Sequence, residues 1–134
     1  MSEGLSFLIE TVIPANPEVV FDAWLSSEGH GAMTGAAAEA SAELGAGCTA
    51  WDGYIKGVNL TVSRPRLLVQ RWRTMDFTDD EPDSILTVRF SPVEGSCRVV
   101  IRHENLPAHG GRYEQGWVEH YFQPMTTYFA ANSA

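Results

Sequence analysis

The sequence predicts an α+β fold: a curved antiparallel sheet of six or seven strands wrapped around one long C-terminal helix. Three observations lead there. Short β-prone segments follow one another at hairpin spacing from Cys48 onward. The two sides of the last three strands differ sharply in polarity. The C-terminal segment is long and apolar enough to cover the apolar side.

Leu5 to Ile13 reads as the first strand, with Leu5, Phe7 and Ile9 alternating against Ser6, Leu8 and Glu10, and Pro14 ends it. Asn16-Pro17-Glu18 is a helix start: Asn16 as cap, Pro17 at the first helical position, Glu18 at the positive end of the dipole. That helix should run to about Ser26, burying the i,i+4 pairs Val20 with Trp24 and Phe21 with Leu25. Ser27 to Gly35 is expected to be loop or a short irregular helix. The alanine-rich stretch 36–42 is a weak strand candidate.

Cys48 to Trp51 and Tyr54 to Ser63 form a hairpin around Asp52-Gly53, and Gly57 suggests a bulge or a close backbone approach. Arg64-Pro65-Arg66 turns the chain. Leu67 to Thr74, Ser84 to Ser91 and Arg98 to Asn105 are three more strands, the last two joined at Glu94-Gly95. Asp76 to Asp83 is an acidic loop. The last helix spans about Tyr113 to Ala130, with Trp117, Tyr121, Met125 and Tyr128 on one stripe, Phe122 and Phe129 beside it, and a kink at Pro124.

Alternation divides the last three strands. One face carries Leu68, Gln70, Trp72, Leu86, Val88, Phe90, Val99, Ile101 and His103 and should meet the C-terminal helix. The other carries Val69, Arg71, Arg73, Thr87, Arg89, Arg98, Val100 and Arg102 and should meet water. The aromatic-rich inner layer has two readings, plain core or the lining of a small apolar cavity oriented by Gln70 and His103. For the cavity reading the lining is Gln70, Trp72, Leu86, Val88, Phe90, Ile101, His103, Trp117, Tyr121 and Met125.

Composition narrows the functions. With 134 residues, 44% hydrophobic and 19% charged, the chain 1–134 is expected to be one domain with a real core. No apolar run approaches the ~20 residues of a membrane span. Met1-Ser2-Glu3-Gly4 does not start a basic-then-apolar leader, so a cytoplasmic location is expected. The net charge of −8 argues against nucleic acid and anionic membrane as partners. Cys48 and Cys97 are expected to be reduced, small buried hydrophobes. The four histidines, His30, His103, His109 and His120, have no metal-ligand spacing, and there is no CxxC pair, GxSxG elbow or phosphate loop. No metal or cofactor is expected. His103 is the one candidate general base on the inner face.

A series of motifs runs through these elements: Met33-Thr34-Gly35-Ala36, Trp51-Asp52-Gly53-Tyr54-Ile55-Lys56-Gly57, Arg64-Pro65, Leu68-Val69-Gln70-Arg71-Trp72-Arg73, Leu106-Pro107 and Gln115-Gly116-Trp117 running on to Tyr121-Phe122. It resembles the family of activators of the heat-shock-protein-90 ATPase, in its C-terminal-domain type, a branch of the START-like helix-grip superfamily. That family's usual pattern is an acidic-Gly-x-Ile-x-Gly hairpin, a strand ending Trp-Arg and a Gly-Trp opening the last helix. The resemblance implies a helix-grip fold with one or two short helices after the first strand. Gly116 is expected to let the helix approach the sheet. The eukaryotic activator's separate N-terminal domain, which makes the main chaperone contact, is expected to have no counterpart before residue 5. Where the family often has another tryptophan after Trp72-Arg73, Phe77 is expected to take its place.

Three functions follow, since fold alone does not decide among them. The first is a non-catalytic binding protein for a small apolar ligand. The second, implied by the resemblance, is a stress-related co-chaperone of a heat-shock-protein-90-type ATPase. The third is a small cavity enzyme of polyketide-cyclase type using His103. A monomer or homodimer is expected.

Overall fold

Pro14 closes the first strand, and Pro17 begins a helix at the position where a missing amide hydrogen costs nothing. The computed structural model of the chain describes residues 4–132. The expectation placed on Met1-Ser2-Glu3 lies outside them. Strand β1 (Leu5–Ile13) is followed by helices α1 (Pro17–Trp24) and α2 (Ser27–Thr34). Asn16 occupies the N-cap of α1, but its side chain makes no capping bond; its carbonyl accepts from the Val20 amide instead. The glycine-rich segment is a regular helix. Ser26 Oγ accepts from the Gly29 amide at 3.1 Å, and Gly35 ends it in the left-handed region, φ 86°.

Five strands follow: β2 (Gly47–Ala50), β3 (Ile55–Ser63), β4 (Leu67–Thr74), β5 (Ser84–Val93) and β6 (Ser96–Leu106). The sheet is antiparallel, in the order β1-β6-β5-β4-β3-β2. It has six strands. The alanine-rich stretch contributes only an isolated bridge between Glu39 and Thr49, since alanine gives a strand little to pack with. Asn59 of β3 holds the chain just beyond it: its Nδ2 donates to the carbonyls of Ser41 (2.7 Å) and Glu43 (2.9 Å).

Two turns differ in kind. Glu94-Gly95 is the expected two-residue turn, with φ of 49° and 84°. The β2–β3 connection is four residues, Trp51 to Tyr54, rather than two. Trp51, Asp52 and Gly53 all have positive φ there, at 52°, 59° and 89°. In β3 the register slips between Asn59 and Thr61, so the bulge is not at Gly57. Gly57 is a close approach: a Cβ there would meet the Arg71 carbonyl oxygen at 2.8 Å.

The C-terminal helix is built in pieces. A 3-10 turn (Ala108–Gly111) leads into α3 (Arg112–Trp117), a wide π-turn (Val118–Phe122) and α4 (Gln123–Ala131). Pro124 cannot donate and crowds the carbonyl four residues back; the wide turn just before it is where the helix absorbs this.

All nine inner-face residues of β4, β5 and β6 are buried, and Arg71, Arg89, Arg98 and Arg102 on the outer face are exposed. Arg73 departs from the solvated role expected of that face. It organises the acidic loop, donating to Asp83 (2.8 Å) and to the carbonyls of Thr78 (3.0 Å) and Glu81 (3.2 Å), over the ring of buried Phe77. The C-terminal helix shares cover of the inner face with α1, because Phe21 and Trp24 pack on Phe90 with ring centres 5.1 and 5.9 Å apart. Among the described residues no helix is long and apolar enough to cross a membrane.

Candidate functional site

Three segments leave a gap between them: the four-residue β2–β3 turn, the end of β4, and the C-terminal helix. It forms a half-open cleft of about 260 Å³ lined by Trp51, Tyr54, Ile55, Trp72, Tyr113, Gly116, Trp117, His120 and Tyr121. Seven of these nine carry aromatic rings, and His120 alone among them carries a basic group. Gly116 does not bring helix and sheet together as expected of a glycine at that place in the helix. A Cβ built on it meets nothing within 4 Å, so the glycine leaves this part of the cleft unfilled. Behind Ile55, Trp72, Trp117 and Tyr121 lies a recess of about 20 Å³ that also touches Trp24, His30, Cys48, Gln70 and Leu86.

Hydrogen bonds hold the aromatic walls in place. Trp117 Nε1 donates to His103 Nδ1 at 3.1 Å, which leaves the proton on Nε2. That nitrogen donates to Ser84 Oγ (2.9 Å), and Ser84 donates to the Trp72 carbonyl (2.7 Å). His103 is 0% exposed, and burial pulls its pKa down to about 3, so it is neutral. His30 Nδ1 donates to the Trp24 carbonyl (2.8 Å), so Nε2 accepts from the Tyr121 hydroxyl (2.7 Å). Burial lowers the His30 pKa and raises that of Tyr121. Both histidines are thus fixed in one tautomer and act as braces.

The rim is tied together as well. Tyr54 donates to Asp76 Oδ2, Arg112 donates to the same oxygen at 2.8 Å, and Tyr113 and Thr74 share a hydroxyl–hydroxyl bond of 2.7 Å. Burial, with the Asp76 carboxylate, pushes the Tyr54 phenol up to about 12. Gln70 Nε2 donates to Asn59 Oδ1 (2.8 Å), which engages it in holding the loop before β2.

Of the ten residues singled out from the sequence, Trp72, Trp117 and Tyr121 line the cleft. Gln70 and Leu86 line only the recess, whereas Val88, Phe90, Ile101, His103 and Met125 line neither and are core. Trp51, Tyr54, Ile55, Tyr113, Gly116 and His120 also line the cleft and were not singled out from the sequence. Gly116-Trp117 was the one signal that could have pointed to the cleft, because a helical glycine facing a sheet either approaches it or leaves space. Cys97 is buried and its thiol pushed up to about 11 by burial; Cys48 is half-buried beside Gln70. Among the described residues no three His, Cys, Asp or Glu side chains come together.

A curved antiparallel sheet gripping a C-terminal helix, with an aromatic cleft at their open end, defines a helix-grip, START-like protein. Residues 14–130 match the model of the Activator of Hsp90 ATPase homolog 1-like proteins, and the chain belongs to that family. Solved structures share the fold. An HSP90 activator from Plasmodium falciparum is 25% identical, with a TM-score of 0.84 over 95% of this chain and 97% of that one. Protein MLL2253 from Mesorhizobium loti is 14% identical, with a TM-score of 0.78 over 97% and 100%. CalU16 from Micromonospora echinospora is 17% identical, with a TM-score of 0.76 over 92% and 74%. No curated protein matches the sequence.

Proposed function

We propose that this protein is a non-catalytic binder that takes a small apolar molecule into the cleft beside Gly116. The observation carrying this reading is an unfilled, aromatic-walled space between the β2–β3 turn, the end of β4 and the C-terminal helix. Its volume, about 260 Å³, is just under the usual range for drug-sized ligands and suits a molecule of one or two rings. The cavity-enzyme reading is disfavoured, since His103 is buried away from the cleft with both nitrogens engaged. The experiment is a titration with the neutral fluorescent probe N-phenyl-1-naphthylamine, in wild type and in Gly116→Leu. Saturable binding that the leucine abolishes, in a variant that still folds, is the expected result. No saturable binding in wild type, or undiminished binding in the variant, would sink the reading.

A second reading is favoured by the 25% identity to an HSP90 activator across nearly both chains. In it, the protein contacts an Hsp90-type chaperone through the exposed arginines of the sheet. Steady-state ATP turnover of the chaperone, with and without excess protein, tests it. A saturable increase of several-fold, removed by charge reversal at Arg71 and Arg89, would place this reading first.

A further inference from the structure

We infer that the cleft selects uncharged, flat ring molecules bearing a hydrogen-bond acceptor oxygen, received by the indole N–H of Trp72 with Trp51 as second donor. This rests on the reading of the cleft as a binding site. The hydroxyls of Tyr54, Tyr113 and Tyr121 are engaged with Asp76, Thr74 and His30, and Trp117 Nε1 is engaged with His103. The indole N–H groups of Trp51 and Trp72 have no acceptor among the described residues. Trp51 Nε1 is buried without a partner, and Trp72 walls both the cleft and the recess behind it. Unpaired donors on an apolar wall are costly, and an acceptor brought by a ligand removes that cost.

The remaining chemistry narrows the ligand. An unpaired N–H donor suits an acceptor and disfavours a cation. An anion would find the exposed His120 and, at the rim, Arg112, whose charge is already paired with Asp76, in a molecule of net charge −8. A plain hydrocarbon would fit the rings but leave both donors unpaired. Trp51 carries a further mark. Its backbone is left-handed, φ 52°, which is unusual for a bulky residue and tends to occur at functional sites. Its ring meets that of His120 edge-on at 5.1 Å. Because its N–H is covered, it reaches a ligand only if the indole rotates and breaks that contact.

The test compares 2-acetylnaphthalene with its hydrocarbon isostere 2-isopropenylnaphthalene by calorimetry, in wild type, Trp51→Phe and Trp72→Phe. The ketone is expected to bind wild type about tenfold more tightly, the scale of one buried donor gaining or lacking its partner. Trp72→Phe is expected to remove most of that preference and Trp51→Phe part of it, each read as the ketone-to-hydrocarbon affinity ratio within the same variant. Equal affinities of the two probes in wild type overturn the acceptor inference and leave the cleft reading standing. Failure of both probes and of N-phenyl-1-naphthylamine removes the cleft reading too. Should Trp72→Phe fail to fold, the wild-type ratio and Trp51→Phe still decide.

Discussion

His103 shows what burial does to a single titratable side chain. In the unfolded chain an imidazole titrates near 6.5; folded, this one titrates at about 3. Above about pH 6.5 it is neutral in both states and adds no pH dependence. Below that, the unfolded chain binds a proton that the folded one refuses, so stability falls with pH by up to about 1.4 kcal/mol per unit. His30, lowered for the same reason, acts in the same direction. Urea unfolding between about pH 7 and pH 5 should show this loss, and His103→Gln should flatten it. Trp72, 4% exposed and in contact with the rings of His103, Phe77, Tyr113 and Trp117, should cost about 3–5 kcal/mol as Trp72→Ala. The burial of Leu68, Trp72, Val88 and Ile101 was legible because strand alternation is a local signal. The brace between His30 and Tyr121 was not, since it joins side chains 91 positions apart and nothing near either one announces the other.

Among the elements, two glycines of similar appearance in the sequence behave oppositely. Gly57 lies where strands β3 and β4 nearly touch, so Gly57→Ala should drive a methyl into the Arg71 carbonyl and cost about 1–3 kcal/mol. Gly116 sits in a helix facing open space, so Gly116→Ala should stabilise by about 0.5–1 kcal/mol, through lower unfolded-chain entropy and better helix propensity. Thermal or urea unfolding of the two variants side by side checks both signs. Strands β4, β5 and β6 could be read nearly to their ends because β-branched residues and polar turns bound them. The four-residue turn at Trp51 could not, because Asp52-Gly53 is the usual mark of the shorter turn. Helix α2 was obscured by its two glycines and a small apolar stripe; it is held by the Ser26 cap and by His30 packing on the last helix.

For the whole molecule, charge is unevenly spread. Arg71, Arg89 and Arg102 form no ion pair among the described residues, on a chain of net charge −8. Any contact made through that face should weaken steeply with salt, measurable as the ionic-strength dependence of a chaperone titration. Occupation of the cleft should raise stability in proportion to the logarithm of ligand concentration, about 2.7 kcal/mol at one hundred times Kd, which a melting series in the ketone probe would reveal. Strand β1 has one sheet neighbour, a single charged residue, Glu10, and three exposed aliphatic side chains, Leu5, Leu8 and Val12, at 43%, 54% and 46%. Such an edge is a template for another chain. At neutral pH mutual repulsion keeps copies apart, but the isoelectric point lies near 4.8, where that repulsion vanishes just as protonation of His103 favours opening. Acidification should therefore turn this edge into a nucleus for precipitation, with turbidity peaking near the isoelectric point and suppressed by Val12→Lys.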